Sequence, residues 1–124
     1  PNVERTKLAS GTFIHANKMD RVHYGSGEVS VYREPAGQTV IFLHENFEVG
    51  PGPRFHVYLV NHADVRSRRD FLYAEKIDLG RLRNFRGSQL YAAPAGVDLS
   101  PYKSVVIWCK EFGVLISPAR LSDA

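Results

Sequence analysis

The sequence contains one cysteine and no long apolar run. A single cysteine rules out a disulfide within the chain and gives no indication of the redox compartment. No apolar stretch approaches the roughly 20 residues that a membrane-spanning helix needs, so we expect the chain as given to be soluble. The chain begins at Pro1 rather than at a methionine. We therefore expect it to be processed or trimmed, with no trace left of any signal or anchor.

Several motifs that carry familiar chemistry are also missing. The run Gly25–Ser26–Gly27 lacks the Gly-x-Ser-x-Gly framing of a nucleophile elbow, and no glycine-rich loop leads into a helix to hold a phosphate. Helix-turn-helix, zinc and RNP-like patterns are absent, so we expect no nucleic-acid partner in spite of the net charge of +3. The residues alone therefore define no enzymatic activity.

What is present is a series of short segments typical of β-strands. Residues Glu28–Arg33 alternate polar and apolar side chains, which predicts a half-buried strand with Val29 and Val31 facing inward. Turn residues return about every ten positions, and no amphipathic helix pattern is convincing. The sequence therefore predicts an all-β fold, an antiparallel β-sandwich of about seven to nine short strands without a substantial helix.

The length of 124 residues predicts one domain with a substantial core. We place this domain at residues 9–121, with an N-terminal tail at residues 1–8 and a C-terminal tail at residues 122–124. Short polar termini of this kind are commonly frayed.

One part of the chain is ambiguous. Residues 61–70 are predicted to form a charged loop. Residues 71–82 have partly helical spacing, but Ile77, Leu79 and the break at Gly80 favour a short strand.

The most apolar stretch is Lys103–Ile116, which holds both the only cysteine and the only tryptophan. Its first half predicts a buried strand, followed by a tight connection or a bulge near residues 110–113 and then a second strand. Alternate side chains of a regular strand face opposite sides. One face then carries Val105, Ile107 and Cys109, and the other carries Val106 and Trp108.

Cys109 has two interpretations that the residues leave open. A free cysteine is commonly buried and behaves as a small hydrophobic side chain. Alternatively it is a redox thiol or a ligand, since a thiolate suits copper, zinc or haem iron. A copper centre of the electron-transfer kind is disfavoured, because no histidine closely follows Cys109 and Met19 is the only methionine.

The five histidines are the other chemically interesting residues. His15 and His56 lie within predicted strands, where a hydrogen-bonded structural histidine is the expected state. His23 precedes a glycine-rich turn, and we take it as the best candidate for a functional histidine near a rim.

Several groups of residues along the chain recur together in one known family. They are His23, Ser26, Gly27 and Val29; Asn46 and Phe47; Gly52 and Pro53; Leu79 and Gly80; Gly87, Gln89 and Tyr91; and Asp98, Leu99, Tyr102, Ser104, Val105, Ile107, Trp108, Cys109, Phe112 and Val114. With them the chain resembles, from Ala9 to Leu121, the DM-thirteen domain, also called the electron-transfer DM domain, in its bacterial form. Arg54 departs from the pattern, because the family commonly has aspartate there.

The resemblance implies an extracytoplasmic redox or electron-transfer module, in the periplasm or at the cell surface. Cys109 is the expected redox group or cofactor ligand, with His23 as its partner and Trp108 beside the cofactor. Haem and copper are the cofactors that such a site could hold, and a thiol without a cofactor is the equal alternative. The implied partner is a redox protein, and the membrane is reached only through an N-terminal anchor absent from this chain.

A second class of function stays open, a non-catalytic adhesion or interaction module. Cys109 would then be a packing residue, and the contact surface would consist of the basic loops or of tyrosines. These are Tyr24, Tyr32, Tyr58 and Tyr102. The partner would be a cell-surface protein or a polysaccharide.

Overall fold

The structure is a computed structural model that describes residues 4–15 and 24–124, within which lie eleven strands and one short helix. The elements are β1 Thr6–Thr12, β2 Gly25–Ser26, β3 Glu28–Arg33, β4 Thr39–Leu43, β5 Glu48–Val49, β6 Phe55–Val60, α1 Arg68–Tyr73, β7 Lys76–Arg81, β8 Gln89–Ala92, β9 Ser104–Cys109, β10 Val114–Arg120 and β11 Ser122–Asp123.

The strands form two large sheets and one small one. The first sheet has the order β11-β1-β3-β4-β8, the second has the order β10-β9-β6-β7, and β2 pairs with β5. The strand pairs run antiparallel. The antiparallel all-β fold predicted from the sequence is therefore confirmed.

The main core lies between the two large sheets. It takes alternate side chains from each sheet, including Val29 and Ile41 from the first and Val57 and Ile107 from the second. Val29 is fully buried and Val31 is 8% exposed. The prediction that these two side chains of β3 face inward is therefore confirmed. Burial of such side chains contributes roughly 1.5–3 kcal/mol each to folding.

Strand β9 is buried along its whole length. Val105, Ile107 and Cys109 belong to the core between the sheets, whereas Val106 and Trp108 belong to a second cluster on the outer face of the second sheet. This two-sided burial explains why the strand reads as a continuous apolar run rather than as an alternating one.

The helix α1 covers that outer face. Its N-cap is Ser67, whose side-chain oxygen accepts a hydrogen bond from the backbone N–H of Asp70 at 3.2 Å. The ring of Phe71 stacks on that of Trp108, with the ring centroids 4.0 Å apart and the planes 15° apart. The prediction of a loop over residues 61–70 is thus wrong at its end, where the helix begins.

The two ends of the described chain are more ordered than the sequence indicated. Residues 6–8 lie in β1, and residues 122–123 form β11, which pairs with β1 through Ala9 and Asp123. Strand pairing therefore extends into both predicted tails. Among the described residues no helix is both long enough and apolar enough to cross a membrane.

The contact between α1 and β9 gives a first prediction. Replacing Phe71 by alanine removes a side chain that is 2% exposed and leaves a cavity beside Trp108. We expect the free energy of unfolding, measured by urea denaturation, to fall by about 3–5 kcal/mol. Leu72→Ala is the matched control on the same helix, because Leu72 is 45% exposed, and its effect should stay within about 0.5 kcal/mol. Equal losses in the two variants would contradict this packing.

Candidate functional site

Cys109 is the last residue of β9, where its direct neighbours are Phe55 on β6 and Val114 on β10. Its residue surface is only 1% exposed. The thiol donates a hydrogen bond from Sγ to the carbonyl oxygen of Pro53, at 3.3 Å. In this conformation the sulfur is therefore closed to reagents in solution.

One group that covers the sulfur is the Pro53 carbonyl, which belongs to the loop of residues 50–54. We call this loop the cover loop. Two further contacts hold this loop to the turn after β9. The backbone N–H of Lys110 donates to the carbonyl oxygen of Arg54 at 3.0 Å, and Arg54 Nε lies 2.7 Å from Glu111 Oε1. Gly52 packs so closely that a Cβ there would lie 2.8 Å from the ring of Phe55.

Arg54 holds the cover loop in a strained backbone conformation. Its φ is 55°, the left-handed region, and it is the only residue other than glycine with positive φ in the described chain. Asparagine and aspartate tolerate this region better than arginine does. The aspartate that the DM-thirteen pattern leads us to expect at this position would therefore suit the backbone better than the arginine that stands here.

A basic groove lies beside the cover loop. Its volume is about 400 Å³ and its walls are Gly52, Arg54, Phe55, Arg81, Leu82, Arg83 and Phe85. Phe85 is 43% exposed and meets the ring of Phe55 edge-on, with the centroids 5.8 Å apart. Phe55, a wall of the groove, is also the strand neighbour of Cys109.

Of the three predicted site residues, Cys109 and Trp108 lie on opposite faces of β9, and His23 is not among the described residues. Trp108 lies on the face of β9 opposite to Cys109 and is in the other hydrophobic cluster. The two residues therefore do not line one cofactor site. His23 lies outside the described residues, so its role remains a prediction.

The described residues do not fit a metal or haem bound to Cys109. Within residues 4–15 and 24–124, no three metal-binding side chains come together. His44 is hydrogen-bonded to Ser30 Oγ at 2.7 Å and His56 to Asp78 at 2.9 Å. The close packing around Sγ leaves no space for a porphyrin at the sulfur.

Close backbone contacts join two of the residue groups on which the family resemblance depends. Gly27 has a φ of 100°, and a Cβ there would lie 2.4 Å from the carbonyl oxygen of Asn46 and from the Cα of Phe47. The side chain of Asn46 in turn accepts a hydrogen bond from the backbone N–H of Glu28 at 3.0 Å. The Ser-Gly and Asn-Phe pairs thus meet in space, and only glycine fits at their contact.

Sequence reasoning missed a polar group on the outer face of the second sheet. His56 Nδ1 lies 2.9 and 3.1 Å from the two carboxylate oxygens of Asp78, and Lys110 Nζ lies 3.4 Å from the second of them. Burial opposes the ionisation of Asp78, but hydrogen bonds from His56 and from the Gly80 N–H outweigh it and lower the pKa of the carboxyl. Burial and the charge of Asp78 raise the pKa of Tyr58 to about 12.

These features define an antiparallel β-sandwich domain with a single buried thiol beneath one loop. A family model described as "Electron transfer DM13" matches residues 17–121. The chain belongs to the electron transfer DM13 family, as its resemblance to the DM-thirteen domain indicated, and this membership supports a redox-type module. No curated protein and no solved structure matches the chain.

The strained backbone at Arg54 predicts that a glycine variant at this position is more stable than an alanine variant. Arg54→Gly and Arg54→Ala both lose the ion pair with Glu111, so that their difference isolates the backbone conformation. We expect the glycine variant to be the more stable by about 1 kcal/mol in urea denaturation, because only alanine carries a Cβ into the left-handed region.

The same pair of substitutions at Arg33 is the control. Arg33 is exposed at the end of β3, and glycine weakens a strand relative to alanine. We expect the order of the two variants to be reversed there. Alanine more stable than glycine at position 54 as well would contradict the strained conformation.

The lowered pKa of Asp78 predicts a stability effect that depends on pH. Because the folded-state pKa lies below the unfolded value of about 3.9, the carboxylate stabilises the fold at neutral pH and loses this effect as the pH falls through the folded-state pKa. Asp78→Asn should therefore be less stable than the wild type at neutral pH, and the difference should shrink in acid. A difference that stays constant across urea titrations at successive pH values would argue against this role.

Proposed function

We propose that the domain is an extracytoplasmic redox module whose reactive group is the thiol of Cys109, exposed when the cover loop opens. The observation that carries this proposal is the way the thiol is closed. The Pro53 carbonyl of the cover loop accepts a hydrogen bond from the sulfur, and the same loop contains the strained residue Arg54. Strained backbone is characteristic of segments with a functional role.

The proposed chemistry is thiol–disulfide exchange. When the loop opens, the thiol loses its proton to water, and the thiolate attacks one sulfur of a disulfide on the partner. A new bond forms from Cys109 to that sulfur as the partner's own sulfur–sulfur bond breaks, and the leaving thiolate takes up a proton. Because the chain has one cysteine, a second thiol from outside must release Cys109.

The charges around the loop support this chemistry. In the closed state the thiol donates a hydrogen bond to a backbone carbonyl oxygen. The groove beside the loop is lined by Arg54, Arg81 and Arg83, and positive charge favours the thiolate. Opening of the loop would therefore move the sulfur from an apolar setting into a cationic one.

The partner and the compartment are part of the same proposal. We take the partner to be a redox protein that presents a disulfide, and the compartment to be the periplasm or the cell surface. Disulfides persist in such oxidising compartments, which agrees with what the DM-thirteen resemblance implies. His23 is proposed as a second participant on that same ground.

A second candidate function is favoured by a different observation, the 1% exposure of Cys109 within the main core. In this alternative Cys109 is a packing residue, and the domain is an adhesion or interaction module for a cell-surface protein or polysaccharide. Removing the sulfur would then reduce the free energy of unfolding, by roughly 1–3 kcal/mol for Cys109→Ala, and would affect no redox reaction.

The rate at which the thiol reacts with dithionitrobenzoate, an aromatic disulfide, distinguishes the two. The proposal predicts a reaction through local opening of the cover loop, so the rate should be nearly independent of urea below the unfolding transition. Arg54→Ala should accelerate the reaction relative to Arg54→Gly, because it destabilises the closed loop.

Ile41→Val serves as the control, since Ile41 lies on β4 in the opposite sheet and its truncation lowers global stability by about 1 kcal/mol. Under the proposal it leaves the reaction rate unchanged. If the rate instead rises with urea along the global unfolding curve, and rises in Ile41→Val by the same factor as the unfolding constant, the thiol is structural.

A further inference from the structure

The outer face of the second sheet carries four rings in continuous contact. Trp108 stacks on Phe71 at 4.0 Å between centroids, Phe71 meets Tyr58 edge-on at 5.0 Å, and Tyr58 lies 6.4 Å from His56. Trp108 is the only tryptophan of the chain. Tryptophan and tyrosine are the side chains that most readily lose one electron without a metal, and here one phenylalanine ring joins them.

The group has a buried end, formed by Trp108, Phe71 and Tyr58, and a partly exposed end, formed by His56 and Asp78. Phe71, Trp108 and Tyr58 are 2%, 5% and 7% exposed, so their rings are fixed and shielded from water. The side chains of His56 and Asp78 are 20% and 35% exposed. The ring contacts therefore lead from the buried strand β9 to a polar patch at the surface.

A proton acceptor faces the phenol at the outer end. Asp78 is the strand partner of Tyr58, and its carboxylate is held by His56 and Lys110. Tyr58 keeps its proton in the resting state, since burial and the charge of Asp78 raise its pKa to about 12. An oxidised phenol is a far stronger acid than a neutral one, so a carboxylate at this position can accept the proton.

We propose that Trp108 and Tyr58 form a one-electron relay, with Phe71 as the bridge between them and Asp78 as the proton acceptor. A one-electron oxidant, such as a metal centre of a docked partner protein, removes an electron from Trp108. Tyr58 then returns an electron to the tryptophan radical cation and passes its phenolic proton to Asp78. The products are a neutral tyrosyl radical, a protonated carboxyl and restored Trp108, so one electron has left the protein and one proton has moved.

This relay goes beyond the thiol chemistry and does not depend on it. Trp108 and Cys109 are adjacent in the chain, but their side chains lie in different clusters. The two proposals can therefore fail separately. Cys109→Ser should abolish the reaction with an aromatic disulfide and leave the relay unchanged.

The test is a flash-quench experiment in which photogenerated tris-bipyridyl ruthenium(III) is the oxidant. Transient absorption follows the broad visible band of the tryptophan radical and the sharp violet band of the tyrosyl radical. In the wild type we expect the tryptophan band to decay as a tyrosyl band grows, at a rate independent of protein concentration. In Tyr58→Phe, which keeps the ring packing, the tryptophan radical should live about tenfold longer.

Two more variants complete the test. Asp78→Asn removes the proton acceptor, so electron transfer from Tyr58 should slow, and the rate difference between light and heavy water should be lost. Tyr73→Phe is the matched control, because Tyr73 is 82% exposed and its ring lies beneath the guanidinium of Arg69, 5.9 Å from the ring centroid. It should behave as the wild type does.

The relay is overturned if the tryptophan radical decays equally fast in the wild type and in Tyr58→Phe. It is also overturned if that decay is proportional to protein concentration, which would mean transfer between molecules. Should Tyr58→Phe fail to fold, Asp78→Asn decides alone, since an unchanged rate and isotope effect there would exclude Asp78 as the acceptor.

Discussion

The packing of β9 on both of its faces is the constraint on which the rest of the structure depends. A strand with one buried face can alternate polar and apolar residues, but β9 lies between the inter-sheet core and the layer made by α1. All six of its residues are buried. The strand therefore has to be apolar throughout, and the cysteine and tryptophan at its end face environments that do not communicate through side chains.

This arrangement divides the domain into two chemical regions. On the inner side a thiol lies beneath the cover loop, and that loop borders a basic groove. On the outer side stacked aromatic rings end at the His56–Asp78 pair. Membership of an electron-transfer family is compatible with chemistry in either region, because thiol exchange requires contact between atoms whereas electrons can cross a short stretch of packed protein.

Much of the fold could be predicted from the sequence, because the burial of a strand depends on the pattern of its own residues. Alternation in β3 and the continuous apolar run of β9 report burial directly, and both faces of β9 were assigned correctly. The helix was missed although Ser67 and Asp70 carry an N-cap signal, because its six residues are too few for a periodic pattern.

The His56–Asp78 pair could not be predicted, since it depends on the register of β6 with β7 and on the bulge between Val57 and Tyr58. The left-handed backbone conformation of Arg54 could not be predicted either, because arginine has no preference for positive φ.

Amide hydrogen exchange tests the central claim most directly, namely that the cover loop opens while β9 stays folded. The Lys110 N–H is bonded to the carbonyl oxygen of Arg54 and reports the loop, whereas the amides in the middle of β9 report the core. We predict that the Lys110 amide exchanges by a local opening that urea does not accelerate, and that the β9 amides exchange only through global unfolding. Identical exchange free energies and urea dependences for the two would contradict the account.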